Sequence, residues 1–269
     1  DHPIGSEGYL EITTSEGTKK IAIERAHLEE DTAKQLHLGD MTLVDYNRAG
    51  TPLIEIVTHP VIRNGEEASK YVEGIREIVT YLGISDGKME EGNLRCDVNI
   101  SLMPFGSKVF GTKVEVKNLN SIANVKAALD YEIQRQSEIL LSGGKIDQET
   151  RRYDEGLKQT ILMRKKTSAI DYKYFREPNI LPIDLTEEFI QDAISHMEKL
   201  PSSYRQELSK IGLSSYEIEE VLRNKEFVLY FEKTLKEGAK NPKTLWNLLM
   251  VDILAYLNKK EITLNELKF

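Results

Sequence analysis

The sequence predicts an α+β protein: a largely antiparallel sheet region carrying two long helices, followed from about residue 186 by an all-helical domain. Three observations carry this expectation. Short segments with period-two alternation recur as far as about residue 166. Two stretches, 66–82 and one beginning at Asn120 or Ser121, repeat apolar residues at helical spacing. Beyond residue 185 capped helical segments follow one another with no convincing strand between them. The expected domains are therefore 1–185 and 186–269, with a tail linker starting near residue 260.

Taken in order, Gly8–Ile12 and Lys20–Glu24 read as two strands joined through Glu16-Gly17, a hairpin signal. The acid cluster after His27 (Glu29, Glu30 and Asp31) reads most plainly as a solvated turn. Leu43–Tyr46 is a short strand ending in the turn Asn47–Pro52. Leu53–Val57 follows, a strand too apolar for a sheet edge, with a lone carboxylate, Glu55, in its middle. A glutamate so placed needs an ion pair, a metal or a wet cavity. In the helix at 66–82, Ala68, Tyr71, Val72, Ile75, Ile78, Val79 and Leu82 form the stripe, and Gly83 sits where a left-handed cap belongs. Leu94–Leu102 then alternates without a break, and Gly111–Asn118 carries Val114 and Val116 inward. The second helix bears Ile122, Val125, Leu129 and Ile133 and ends at Gly143-Gly144. Strands return at Thr150–Asp154 and Thr160–Arg164, and Tyr172–Pro178 leads out of the sheet. Helices are expected at about 187–199, 202–211, 215–223, 226–237 and 242–258. Ser214–Glu217 supplies a capping box, and Asn241-Pro242 puts proline at a first helical position.

The 269 residues are 40% hydrophobic and 30% charged, as in globular proteins, and no run is long and apolar enough for a membrane span. A single cysteine, Cys96, excludes an internal disulfide and suits a reducing compartment. The net charge of −8 argues against a free-standing nucleic-acid binder. Asp1–Gly5 reads like the middle of a protein and Thr263–Phe269 like a helix cut as it begins, so both ends are expected to lack material.

Chemistry concentrates on strands. Gly83–Met89 falls one residue short of a phosphate loop and has Met where Ser or Thr must reach magnesium. Gly143-Gly144-Lys145 follows a helix and is a cap. The five histidines show no zinc spacing. What remains is Arg95, Asp97 and Asn99 on one strand face beside Lys113, Glu115 and Lys117 on the next. Glu30 and Glu55, with Arg151, Arg152 and Arg164, extend the set. Carboxylates on neighbouring strands can hold Mg²⁺, a hard ion that takes oxygen ligands, and adjacent cations suit phosphate. The mixture fits a nucleotide-using enzyme without a phosphate loop. A surface of cross-strand salt bridges with no chemical role fits it too.

Four stretches resemble the B subunits of tRNA-dependent amidotransferases: Asp45–Glu55, Glu90–Asn99, Gly111–Asn120 and Gln148–Tyr153. The resemblance covers nearly the whole chain. It implies a cradle with a glutamine-synthetase-like antiparallel sheet, then a helical domain. The implied reaction uses ATP and Mg²⁺ to phosphorylate the side-chain carboxylate of a Glu or Asp misattached to tRNA(Gln) or tRNA(Asn). Ammonia from a glutaminase A subunit then displaces phosphate, and a small C subunit completes a cytoplasmic assembly. It implies metal roles for Glu30, Glu55, Asp97 and Glu115, and catalytic roles for Asp97, Glu115 and Arg95. Nucleotide roles fall to Arg95, Lys113, Lys117, Arg152 and Arg164. The family's N-terminal Glu-x-His strand and its tRNA-gripping tail find no match here, so the metal shell is expected to be incomplete.

Two alternatives stand beside this: a non-catalytic tRNA adaptor, and another ligase or kinase on the same kind of sheet acting on a small acid or guanidine compound. Residues 186–269 hold 12 Lys plus Arg against 14 Asp plus Glu, which is not the basic surface an independent adaptor needs. A small-molecule ligase has no need of an appended helical domain.

Overall fold

The computed structural model describes residues 2–165 and 178–267, so most of the expected exit segment Tyr172–Pro178 lies outside the described residues. The chain divides into two compact units. One runs to Arg76 and resumes at Lys88 through the last strand; the other takes Glu77–Gly87 and the helical segment.

The first unit opens with β1 (Gly5–Thr14) and β2 (Gly17–Glu30), paired antiparallel around a two-residue turn. β2 is longer than expected because the acid cluster does not turn: the strand continues through Glu30 and pairs with β5 (Pro52–Thr58). The turn reading is corrected here; backbone pairing with β5 keeps the acids extended. β5 pairs only with β2 in a sheet of order β1-β2-β5, so among the described residues this apolar strand is an edge after all. Between them β3 (Lys34–Leu38) and β4 (Met41–Asp45) form a separate two-stranded hairpin.

Helix α1 (Gly65–Tyr81) starts with two acids, which suits its dipole. Glu66 accepts from the Ser15 amide at 2.7 Å and from its hydroxyl at 2.6 Å, and buried Glu67 accepts from Lys19 at 2.7 Å. These contacts bind the β1–β2 turn to the helix start. At the other end Gly83 takes the left-handed conformation, φ 68°, that a side chain resists.

A second sheet has the order β6-β7-β8-β9, with β6 Val98–Ile100, β7 Val114–Lys117, β8 Glu149–Asp154 and β9 Gln159–Lys165. Its β7–β8 pair is parallel, while the remaining strand pairs are antiparallel. Helix α2 (Ile122–Leu141), capped by the Ser121 side chain on Asn124 N–H, joins β7 to β8 and makes that parallel pairing possible. Val114, Val116, Ile100 and Tyr153 are buried with Val125, Ala128 and Leu129 of α2, and Tyr71 and Val72 of α1 join the same cluster. Each such valine, leucine or isoleucine withdrawn from water contributes roughly 1.5–3 kcal/mol.

That core has an ionic centre. Glu132 of α2, fully buried, accepts from Arg135 Nε and Nη2, each at 2.9 Å, and from Gln136 Nε2 at 2.9 Å. Arg151 of β8 reaches Glu132 at 3.3 Å and Glu149 at 2.7 Å, and Thr160 of β9 donates to Glu132. Burial pushes the Glu132 carboxyl upward, but these hydrogen bonds and the arginine charge outweigh it and hold it below the usual range.

In the second unit the described residues from Thr186 onward include the helices α3 (Glu187–Ser195), α4 (Pro201–Lys210), α5 (Ser215–Leu222), α6 (Lys225–Lys236), α7 (Pro242–Asn247) and α8 (Leu254–Lys260), joined by short links. A π-helical turn, Leu248–Ile253, runs between the last two. Phe231, Leu222, Leu249, Val221 and Val228 form the dry centre. Arg205 clamps Glu77 and Glu219, and Tyr81 donates to the Leu222 carbonyl at 2.7 Å.

Candidate active site

The face of the second sheet turned away from α2 carries the charges. Register fixes which side chains share it, because paired residues on neighbouring strands point the same way. Asn99 lies opposite Glu115, Glu115 opposite Thr150, and Thr150 opposite Arg164. The adjacent row holds Lys117 opposite Arg152, and Asp97, one residue before β6, continues it. Two rows therefore share this face, Asn99–Glu115–Thr150–Arg164 and Asp97–Lys117–Arg152, and each mixes acid with base.

The contacts bear this out. Lys117 Nζ lies 2.5 Å from Asp97 Oδ2 and 3.3 Å from Glu115 Oε1, while Thr150 donates to Glu115 Oε2 at 2.9 Å. Partial burial works to lower the Lys117 pKa, but the Asp97 hydrogen bond and charge, then Glu115, outweigh it and raise the ammonium above the usual lysine range. Arg152 contacts Asp154 at 3.3 Å, and Arg164 is exposed opposite Thr150. Lys113, just before β7, is also exposed.

The strand expected from Leu94 to Leu102 is shorter than its alternation suggested: ladder pairing holds only over Val98–Ile100. Burial nevertheless alternates from Leu94 to Ile100, so Arg95, Asp97 and Asn99 stay on the exposed side. Cys96 faces the core, and burial, with the Asp97 charge adding to it, pushes its thiol up to about 12.

Arg95 does not extend along the strand face alone. Its Nη2 sits 2.6 Å from Asp31 Oδ2, and Arg48 Nε lies 3.0 Å from the same oxygen. The Arg95 hydrogen bond, against some desolvation and helped by the charges of Arg95 and Arg48, holds the Asp31 carboxyl below the usual aspartate range. Asp31, Arg48 and Arg95 line a polar cavity of about 420 Å³ with Lys34 and Asp45. Sequence reasoning missed Asp31 and Arg48. The only signal was that one acid of the cluster had to follow the strand end, where it could reach across.

The remaining expected ligands are placed differently from Asp97 and Glu115. Glu55 pairs with His27 in register and Glu30 with Pro52, so the two glutamates project from opposite faces of the β2–β5 pair. One ion cannot take both without breaking that pairing. Among the described residues no group of three or more His, Cys, Asp or Glu side chains is arranged to hold a metal. Asp97 and Glu115 do supply two carboxylates on one face, with Lys117 standing between them. That donor set fits a hard cation if Lys117 turns toward a phosphate instead. Arg151 is not on this face: it points inward to Glu132 and Glu149.

The sequence model of the GatB/GatE catalytic domain matches residues 1–191. Among curated relatives, the B subunit of the aspartyl/glutamyl-tRNA(Asn/Gln) amidotransferase of Mycoplasma capricolum is 50% identical over 269 residues, 99% of this chain and 56% of its own length. The proteins of the same name from Geobacillus thermodenitrificans and Staphylococcus aureus are 48% and 47% identical, again over 56% of their lengths and 99% and 100% of this chain. The chain thus spans little more than half the length of the relatives it matches.

Proposed function

The chain belongs to the GatB/GatE catalytic domain family, and on that premise we propose that it forms the ATP-using centre of a tRNA-dependent amidotransferase. The observation that carries the proposal is the convergence of Asp97, Lys117, Glu115 and Thr150 with Arg152 and Arg164 on one sheet face. That arrangement offers oxygen ligands and phosphate donors side by side.

In the proposed reaction an oxygen of the Glu or Asp side-chain carboxylate on misacylated tRNA attacks the γ-phosphorus of ATP, and ADP leaves. Ammonia then attacks the acyl carbon, phosphate departs with the carboxylate oxygen, and a proton is lost to give the amide. Lys117, Arg152, Arg164 and Lys113 neutralise charge on the transferring phosphoryl group, and Arg95 anchors the nucleotide from the neighbouring cavity. Asp97 and Glu115 would hold Mg²⁺, and the ion would supply positive charge to the phosphates. Glu30 or Glu55, whichever faces the same ion, would add a third carboxylate to it. Within the longer protein this centre works with a glutaminase A subunit that supplies ammonia and a small C subunit, in the cytoplasm. Among the described residues no helix is long and apolar enough to cross a membrane.

The mechanism is tested with misacylated tRNA whose side-chain carboxylate carries ¹⁸O. Phosphoryl transfer to the carboxylate sends one ¹⁸O into each phosphate released during amidation. Unlabelled phosphate would overturn it.

A further inference from the structure

The polar cavity at the foot of the β3–β4 hairpin holds more cation than acid. Lys34, Arg48 and Arg95 line it against two carboxylates, Asp31 and Asp45, and Thr32 is the other polar residue there. Both carboxylates already accept hydrogen bonds: Asp45 from the Asn47 amide at 2.9 Å, Asp31 from Arg95 at 2.6 Å and from the Thr32 amide at 3.1 Å. The Asp31 side chain is tucked away, 14% exposed, whereas Arg48 and Arg95 are 44% and 54% exposed.

Asp31 holds both arginines. Its Oδ2 lies 2.6 Å from Arg95 Nη2 and 3.0 Å from Arg48 Nε. Its backbone also pins the turn that carries Arg48, donating to the Thr51 carbonyl at 2.8 Å and accepting from Gly50 N–H at 2.9 Å. The two guanidinium groups share a second acceptor, the Gly92 carbonyl, which Arg48 Nη2 reaches at 3.3 Å and Arg95 Nε at 3.4 Å. Gly92 is left-handed, φ 75°, and a Cβ there would stand 3.1 Å from Arg48 Nη1, so glycine makes room for this pairing. Among the described residues the Nη1 group of each arginine has no hydrogen-bond partner. One carboxylate balances only one of the two charges, and paired guanidinium donors match the oxygens of a phosphate. Arg95 and Asp97 lie two residues apart on the same exposed side, roughly 6–7 Å along an extended chain, a span that a triphosphate covers.

We propose that this cavity is a second phosphate subsite for the nucleotide: Arg48 joins Arg95 in holding a phosphate that is not transferred, and Asp31 is the positioning residue that fixes both guanidinium groups. The proposal rests on the function proposed above and adds Arg48 and Asp31 to it. Asp31 lowers the charge that the cavity offers, but it orders two rotamer-rich side chains before the nucleotide arrives, so binding does not have to order them.

The first test needs no variant. Unaltered full-length protein is treated with phenylglyoxal, which modifies accessible arginines, and the modified positions are read by mass spectrometry. ATP with Mg²⁺, at about ten times its Kd, should slow modification of Arg48 and Arg95 about tenfold. Arg223, 74% exposed in the helical unit, should react as before. Equal modification of Arg48 with and without ATP overturns the proposal. Protection by uncharged tRNA but not by ATP also overturns it, because the phosphate would then belong to RNA.

The second test follows ATP-dependent amidation by the assembled enzyme. Arg48→Gln should raise the KM for ATP about tenfold or more and leave kcat within about twofold, as expected for a contact equally strong before and during transfer. Asp31→Asn adds positive charge to the cavity, so an acid that served only as a counter-charge would give a lower KM. Positioning predicts the reverse, a KM raised about threefold or more, with no further rise when Asp31→Asn is added to Arg48→Gln/Arg95→Gln. A KM unchanged or lowered in Asp31→Asn overturns the positioning role, whatever happens to kcat. An enzyme that amidates misacylated tRNA while ATP leaves Arg48 unprotected refutes the subsite alone. Protection of Arg48 by ATP in an assembled enzyme that never forms the amide refutes the proposed function alone.

Discussion

Lys117 Nζ and Asp97 Oδ2 meet at 2.5 Å across the continuation of the β6–β7 ladder, and Lys117 also reaches Glu115 at 3.3 Å. The single lysine charge offsets only one of the two acids, and on the function proposed above it would turn from them to an arriving phosphate. The side chains are about a third and a half exposed, 34% and 46%, so the pair contributes little to stability, within about 1 kcal/mol. Lys117→Met should therefore melt near the unaltered protein while ATP cleavage falls about 100-fold or more. Parallel loss of melting temperature and activity would show a structural role only.

Register separates Glu30 from Glu55, which makes a sharp metal prediction. Of Glu30→Gln and Glu55→Gln, only one should raise the Mg²⁺ concentration needed for half-maximal ATP cleavage, by about tenfold or more. If both do so, the two residues share an ion and the β2–β5 register is not that of the working enzyme.

Asp31 is held below the usual aspartate range, first by the Arg95 hydrogen bond. A group depressed in the folded state contributes stability above its unfolded pKa of about 3.9 and loses it as pH falls through the folded value. Carbon-detected NMR should place the Asp31 midpoint below that figure, and Arg95→Gln should move it upward. An unchanged midpoint in the variant would remove Arg95 as the cause.

Cys96, pushed up to about 12 by burial, carries almost no thiolate near neutrality. Its reaction with a disulfide reagent at pH 8 should be slow in the native protein and rapid in denaturant. Fast native reaction would place the 94–97 segment outward.

Glu132→Ala removes the acid between Arg135 and Arg151 and leaves the largely buried Arg135 guanidinium without its main partner. The expected cost is about 3–5 kcal/mol in urea unfolding. A change under about 1 kcal/mol would mean that water already reaches this cluster.

Much of this was legible in the chain because local chemistry and the fold agree. The α1 stripe, the Ser121 cap and the Glu16-Gly17 hairpin each depend on neighbours in sequence. The hairpin partner β3 was not read from the sequence: the alternation of Gln35–Leu38 is only four residues long, and the strand is exposed throughout. The strand from Leu94 appeared too long because burial alternates even where no ladder forms, from Leu94 to Asp97. Glu132 gave no sign of its role within an apolar helix stripe, as its partners Arg151 and Thr160 stand on other strands. At the candidate site, Arg95, Asp97, Glu115 and Lys117 could be assigned to one face from alternation alone. The grip of Asp31 on Arg95 needed the fold, because it joins residues 64 positions apart.

The decisive measurement supplies the assembled enzyme with misacylated tRNA, ATP and Mg²⁺ and withholds any ammonia donor. ATP cleavage should depend on the misacylated tRNA and should fall about 100-fold or more in Asp97→Asn while tRNA binding stays unchanged. Cleavage at the unaltered rate in Asp97→Asn would contradict the placing of phosphoryl transfer on this face.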